Sequence, residues 1–235
     1  MKEHTWLQEL GVADAPCEQP EVLTELLELA RVRRLSALAV CGDCQFRPAH
    51  APALARLLAC GCLTRLKLEF TVDETDEVSW RHMVFELSSE LRPKGVRALK
   101  RLSLCIGSWR PLAIMGVLMS VLTLLCFSLE HLDLQGNEVA PAERGAAGRA
   151  LGTLIALNSS SLKHLDVRHC NLGDEGVKEM LCCLAVNGHV GVVSCREGNN
   201  LSEAYYERDV ARPVLTRRYA KWCERNGVRP CTCGT

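Results

Sequence analysis

Apolar residues return along this chain in one short phrase with polar residues set between them. It reads Leu63-Thr-Arg-Leu66-Lys-Leu68, Leu99-Lys-Arg-Leu102-Ser-Leu104, Leu129-Glu-His-Leu132-Asp-Leu134 and Leu162-Lys-His-Leu165-Asp-Val167, with a looser copy at Leu35-Ser-Ala-Leu38-Ala-Val40. The fourth and sixth positions of the phrase alternate with polar residues, which predicts a short strand with one buried face. The phrases begin at residues 35, 63, 99, 129 and 162, and a degenerate copy, Val190-Gly-Val-Val193-Ser-Cys195, follows 28 residues after the last. Between phrases the apolar spacing changes to that of a helix: after Leu172, Gly176 opens a run in which Met180, Leu181 and Leu184 face inward. Each unit is therefore expected to be a strand followed by a return helix.

The fullest unit, Leu162-Lys-His-Leu-Asp-Val-Arg-His-Cys-Asn-Leu-Gly-Asp-Glu-Gly-Val177, resembles the ribonuclease-inhibitor type of leucine-rich repeat and is similar to repeats of F-box substrate adaptors. The resemblance covers about residues 35 to 200. It implies an α/β solenoid of about six repeats, with a curved parallel sheet on the concave side and helices on the convex side. It also implies a non-enzymatic protein–protein interaction or scaffold module, a structural subunit or adaptor of a larger assembly, with no cofactor and no small-molecule substrate. A substrate-recognition adaptor of a ubiquitin ligase and a small-GTPase regulator are the related alternatives, and an enzyme is the alternative of a different class. Residues 1–34 offer one clear helical run where an F-box requires several helices. Ribonuclease inhibitors carry a more acidic surface and more repeats, and the acidic tail of the Ran-activating family has no counterpart here.

Residues 1–34 are expected to form an N-terminal helical cap around Pro20-Glu-Val-Leu-Thr-Glu-Leu-Leu-Glu-Leu29, where proline and acids suit a helix start. Residues 35–200 form the repeats. Residues 201–235, with four acids against seven Lys or Arg, form a C-terminal cap and tail. Two insertions are expected at the edge of the array, where extra length costs little. One is the acidic loop Val72-Asp-Glu-Thr-Asp-Glu-Val78, ahead of a helix from Trp80 to Leu91, and the other is the run from Ala140 to Gly148.

Lys plus Arg and Asp plus Glu both total 28, so no global field steers the chain toward nucleic acid or an anionic membrane, and any charge selectivity is local. Fourteen cysteines would fit a secreted disulfide scaffold, but the first ten residues lack the apolar core of a signal peptide and the basic amphipathic pattern of a mitochondrial presequence. Reduced thiols in the cytoplasm are the expectation. Cys170, where the preceding unit has Asn137, falls at a position that a repeat fills with a small buried residue. Cys41, Cys44, Cys60 and Cys62 have part of the spacing of a zinc site, but they flank different strands, and Cys231 and Cys233 read as a flexible tail.

Residues between the leucines should project from the concave sheet. Stacking the units puts Arg65, Arg101, His131 and His164 in one column and Lys67, Ser103, Asp133 and Asp166 in the next. Glu69, Cys105, Gln135, Arg168 and Arg196 make a third. The basic members suit an acidic partner segment or an RNA backbone, diluted by the interleaved carboxylates. His131, His164, Asp133 and Asp166 also make a square suggestive of metal ligation or acid–base chemistry with Ser103 as nucleophile. An open sheet that neither excludes water nor shifts a pKa argues against catalysis there.

Residues 112–129 pass without a charge, which reaches the length of a membrane-spanning candidate. They occupy a return-helix slot between two strands, however, so membrane insertion is not expected. In that helix Ala113, Val117, Val121 and Leu124 should face inward. Met115, Met119, Leu122 and Cys126 should then make an outward apolar stripe, an expected convex contact with a partner protein.

Overall fold

The computed structural model describes residues 7–13, 20–42, 46–70, 85, 98–106, 108–109, 128–157, 161–184 and 190–202. Its centre is a seven-stranded sheet in which every neighbouring pair is parallel. The strands are β1 (Glu9–Ala13), β2 (Ala37–Cys41), β3 (Arg65–Glu69), β4 (Arg101–Cys105), β6 (His131–Asp133), β8 (His164–Asp166) and β9 (Val192–Ser194), adjacent in that order. A second, two-stranded parallel sheet joins β5 (Ser108–Trp109) to β7 (Glu138–Val139). The described helices are α1 (Pro20–Val32), α2 (Ala51–Ala59), α3 (Arg144–Leu157) and α4 (Gly173–Leu184). Parallel neighbours require a crossover between strands, and these helices lie in the crossovers.

The phrase positions explain the packing. Leu38, Leu66, Leu102, Leu132 and Leu165 lie in register across the sheet and are buried, as are the first-position residues Leu35, Leu63, Leu99, Leu129, Leu162 and Val190. From the helix side Leu23, Leu27, Leu57, Leu154 and Met180 enter the same core. One backbone motif repeats at every strand entry: the carbonyl of the residue before a strand accepts two N–H groups from the next unit. Gln8 O accepts from Ser36 and Ala37, Ser36 O from Thr64 and Arg65, Thr64 O from Lys100 and Arg101, and the series continues through Lys100, Glu130 and Lys163.

That series begins at Gln8, which corrects the expected N-terminal cap. Leu7, Leu10 and Val12 stand 28 residues before Leu35, Leu38 and Val40, and β1 is a strand of the main sheet with α1 as its return helix. The sheet therefore has seven strands where the phrases indicated six. Two helix starts also differ from expectation. α4 begins at Gly173 (φ 62°) rather than at Gly176. The run from Ala140 to Gly148 is a short 3-10 turn at Pro141–Glu143 followed directly by α3, not an extended loop.

The acidic run 72–78, all but Phe85 of the expected helix 80–91, the apolar segment 112–127 and residues 203–235 lie outside the described residues. Among the described residues no helix is long and apolar enough to cross a membrane.

Candidate functional site: the open sheet face

The register places the expected columns side by side. Arg65 pairs with Arg101, Arg101 with His131 and His131 with His164; Lys67 pairs with Ser103, Ser103 with Asp133 and Asp133 with Asp166. Alternation along each strand sends these side chains away from the leucine core, so both columns line the open face. Upstream, β1 and β2 continue the columns with Glu9 and Ala37 in the first and Gly11 and Ala39 in the second. The small residues leave a cavity of about 420 Å³ over β1 to β4 and β6, walled by Arg65, Lys67, Arg101 and His131 and by the carboxylates of Glu9 and Asp133.

The face is not the continuous basic row that the columns suggested. Arg65 is ion-paired to Glu9, and Lys67 stands 4.0 Å from Glu69. Arg168 is held by Asp166 at 2.7 Å and Glu197 at 3.2 Å and also reaches Gln135. Asp166 and, secondarily, Glu197 thereby raise the Arg168 pKa above its ordinary value. Asp133 accepts from the Ser103 hydroxyl at 3.0 Å and from the Gln135 N–H at 3.0 Å. Arg101 has no ion-pair partner among the described residues. Arg196 follows β9 and is exposed. Charge is thus divided: cations concentrate toward β3 and β4, and carboxylates toward β6 and β8. Along the strand entries a separate ladder alternates in sign, with Glu130 between Lys163 (2.7 Å) and Lys100 (3.4 Å). Lys163 first, then Lys100, lowers the Glu130 pKa.

His131 and His164 stack face to face, with ring centroids 4.4 Å apart and planes 5° from parallel. The open face does shift a pKa, contrary to expectation: partial burial, then His164 and Arg101, depress that of His131. A lowered histidine pKa means that the unfolded chain binds more protons between the two pKa values. His131 therefore contributes fully above pH 6.5, its ordinary value, and its contribution declines as pH falls below that point. We expect unfolding free energy to drop between pH 7 and 5 and His131→Gln to flatten that slope, measured by urea unfolding across the range. An unchanged slope would count against the coupling.

The square formed by these histidines, Asp133 and Asp166 does not assemble a ligand set. Among the described residues no group of three or more His, Cys, Asp or Glu side chains is placed to hold a metal ion, Cys41, Cys60 and Cys62 included. Cys44, Cys231 and Cys233 lie outside the described residues, as do Met115, Met119, Leu122 and Cys126. Nor do the side chains form a nucleophile relay. The Ser103 hydroxyl donates directly to Asp133 while the His131 ring is stacked on His164, so no imidazole bridges hydroxyl and carboxylate.

Behind the face, three side chains seal the turns that follow the strands. Asn137 donates to the carbonyls of Leu104 (2.7 Å) and Leu134 (2.6 Å) and accepts the Ile106 N–H (2.7 Å). Cys170 takes the same place one unit on, its thiol 3.1 Å from Leu134 O. Asn199 closes the next, donating to Val167 O and Cys195 O at 2.8 Å each and accepting the Leu172 N–H. Burial raises the thiol pKa of Cys170 to about 12 and that of Cys195 to about 11, which leaves both unreactive.

A family model described as Leucine Rich repeat matches residues 125–142 and 158–181. Two stretches of the chain are thus similar to leucine-rich repeats. The matched stretches contain β6 and β8 with their buried leucines and the Asn137 and Cys170 turns. No curated protein matches the chain. Leucine-rich repeat domains generally mediate protein–protein interaction.

Proposed function

We propose that this leucine-rich repeat protein is a non-enzymatic interaction module of the ribonuclease-inhibitor-like type, a curved solenoid serving as adaptor or structural subunit of a larger assembly. An acidic segment of a partner protein docks on the open sheet face over β1 to β4. The observation that carries this reading is the pairing of Arg65 and Arg101 above the floor of Gly11, Ala37 and Ala39. Two guanidinium groups on neighbouring strands border space that small side chains leave free, and Lys67 stands two residues along from Arg65. A carboxylate entering there meets Arg101 directly and competes with Glu9 for Arg65. Asp133 at the margin of the same cavity and Asp166 on the next strand repel an acidic chain and so set its position and direction. RNA is the less favoured ligand because those carboxylates interrupt the track that a phosphate backbone would follow.

The test is fluorescence anisotropy with a labelled Asp/Glu-rich peptide. Arg65→Glu/Arg101→Glu should weaken binding by about tenfold or more, since each reversal replaces an attraction with a repulsion. Asp133→Asn should leave binding equal or tighter. Undiminished affinity in the double variant, with circular dichroism unchanged, would reject the proposal.

A further inference from the structure

Two histidine rings lie where the charge of the open face changes sign, and one of them belongs to the cavity. His131, half-buried, lines it beside Arg101, while its register partner His164 is exposed on the next strand and lies outside it. The rings are stacked with centroids 4.4 Å apart. Two imidazolium ions at that separation repel each other, so the pair takes up one proton much more readily than a second. The register also places the charged groups around the pair. Arg101, with Lys100 before it, faces His131 from β4, and Lys163 and Asp166 flank His164 on the β8 side; β9 sets uncharged Val192 beside His164. On the strand of His131 itself stand Glu130 and Asp133. These carboxylates are engaged elsewhere: Glu130 with Lys163 and Lys100, Asp133 with the Ser103 hydroxyl and the Gln135 N–H, and Asp166 with Arg168. Partial burial, His164 and Arg101 all oppose a charge on His131 and outweigh the opposite pull of Glu130. In the protein alone, His131 is therefore predominantly neutral at pH 7.

We propose that the histidine pair couples docking to pH: His131 takes up a proton when an acidic segment enters beside Arg101, so that acid strengthens the binding. The inference rests on the acidic-segment reading of the cavity and adds the regulation of that site. A carboxylate that meets Arg101 offsets the guanidinium charge that opposes the imidazolium, and it brings a negative charge to the cavity wall where His131 stands. Both changes favour the protonated ring. His164, outside the cavity, stays neutral and keeps its stacked place, so one proton is taken up and not two. The sign follows from linkage. A group that holds its proton more firmly in the complex than in the free protein makes affinity rise as pH falls through the bound value, and the gain levels off below the free value. One proton limits the slope to about tenfold per pH unit. Carboxylates of the ligand remain ionised above about pH 5.5, so the window of the histidine is separate from theirs.

The test is the dissociation constant of the full chain for a labelled Asp/Glu-rich peptide, measured by fluorescence anisotropy from pH 8 to 5.5 at fixed ionic strength. Affinity should rise by about threefold or more across that range. His131→Gln should flatten the dependence. His164→Gln removes a group that opposes the charge, so it should keep the dependence and move its midpoint to higher pH. Proton resonances of the imidazole provide a second readout: the His131 signal, identified by its loss in His131→Gln, should titrate at higher pH with the peptide bound than without it. If His131→Gln fails to fold, the shift of a histidine signal in the wild type on adding peptide, and its response to His164→Gln, decide instead. Binding that is abolished by Arg65→Glu/Arg101→Glu yet equally strong at every pH would overturn this proposal and leave the docking reading standing. A dependence that survives His131→Gln would overturn it as well, and no binding at any pH would remove both.

Discussion

Asn137→Ala is expected to destabilise the protein by about 3 kcal/mol, read as a lowered midpoint in urea unfolding. The side chain is 0% exposed and makes three short hydrogen bonds to the backbone of two successive units. Alanine leaves the Ile106 N–H and the Leu104 carbonyl without that partner, in a place water does not reach. The Leu134 carbonyl keeps a partner in the Cys170 thiol. An unmet buried group costs roughly 1–3 kcal/mol, so two such groups plus the lost van der Waals contact reach the stated total. Asn137→Asp should be no better, because a carboxylate faces the two carbonyls with acceptors where donors are needed. Cys170→Ala provides the contrast. A thiol is a weak donor and its removal should cost about 1 kcal/mol. Equal losses at positions 137 and 170 would show that volume rather than hydrogen bonding holds these turns.

Gly148→Ala is expected to cost about 3 kcal/mol, with Gly148→Val worse. A Cβ at Gly148 in α3 would land against the Gly176 carbonyl in α4 and lie 2.7 Å from the Gly176 Cα, a backbone contact that cannot rotate away. The reverse substitution meets the same obstacle, since a Cβ at Gly176 would stand 2.7 Å from Arg144 O. The helices therefore cross backbone to backbone, and any side chain there forces them apart and loosens Leu151, Leu154, Val177 and Met180 in the core below. Sign makes the test sharp: at an open helical position glycine to alanine gains about 1 kcal/mol, so a stabilised Gly148→Ala would refute the crossing. Gly145→Ala is the matched control. Its Cβ meets the Glu175 side chain, which can swing toward solvent, so the change should be near neutral or favourable.

The strand order and the columns of the open face were legible because the leucine phrase carries its own register. Once Leu66, Leu102, Leu132 and Leu165 are aligned as core positions, a period of two forces Arg65, Arg101, His131 and His164 onto the opposite face. Three features escaped. β1 carries the same spacing at Leu7, Leu10 and Val12, but the phrase is short and precedes a strongly helical run whose signal dominates residues 1–34; the interval of 28 residues to Leu35 is the signal that marks it. Asn199 does the work of Asn137 from a place one residue later in its unit, and a strict position count passes over it. Pairing of Arg65 with Glu9 joins residues 56 apart across the small side chain of Ala37, a contact that no local pattern specifies.

What the chain by itself determined is the alternation of strand and helix, the parallel order of the strands and the residues that face away from the core. Periodic apolar burial is a local pattern that repeats until only one stacking satisfies it. Only the tertiary structure decided the charge of the open face, the stacking of His131 on His164 and the glycine crossing of α3 and α4. Each of these depends on distances between side chains or backbones of different units. Such distances follow from how neighbouring units pack on one another, whereas the repeat pattern specifies only which positions they share.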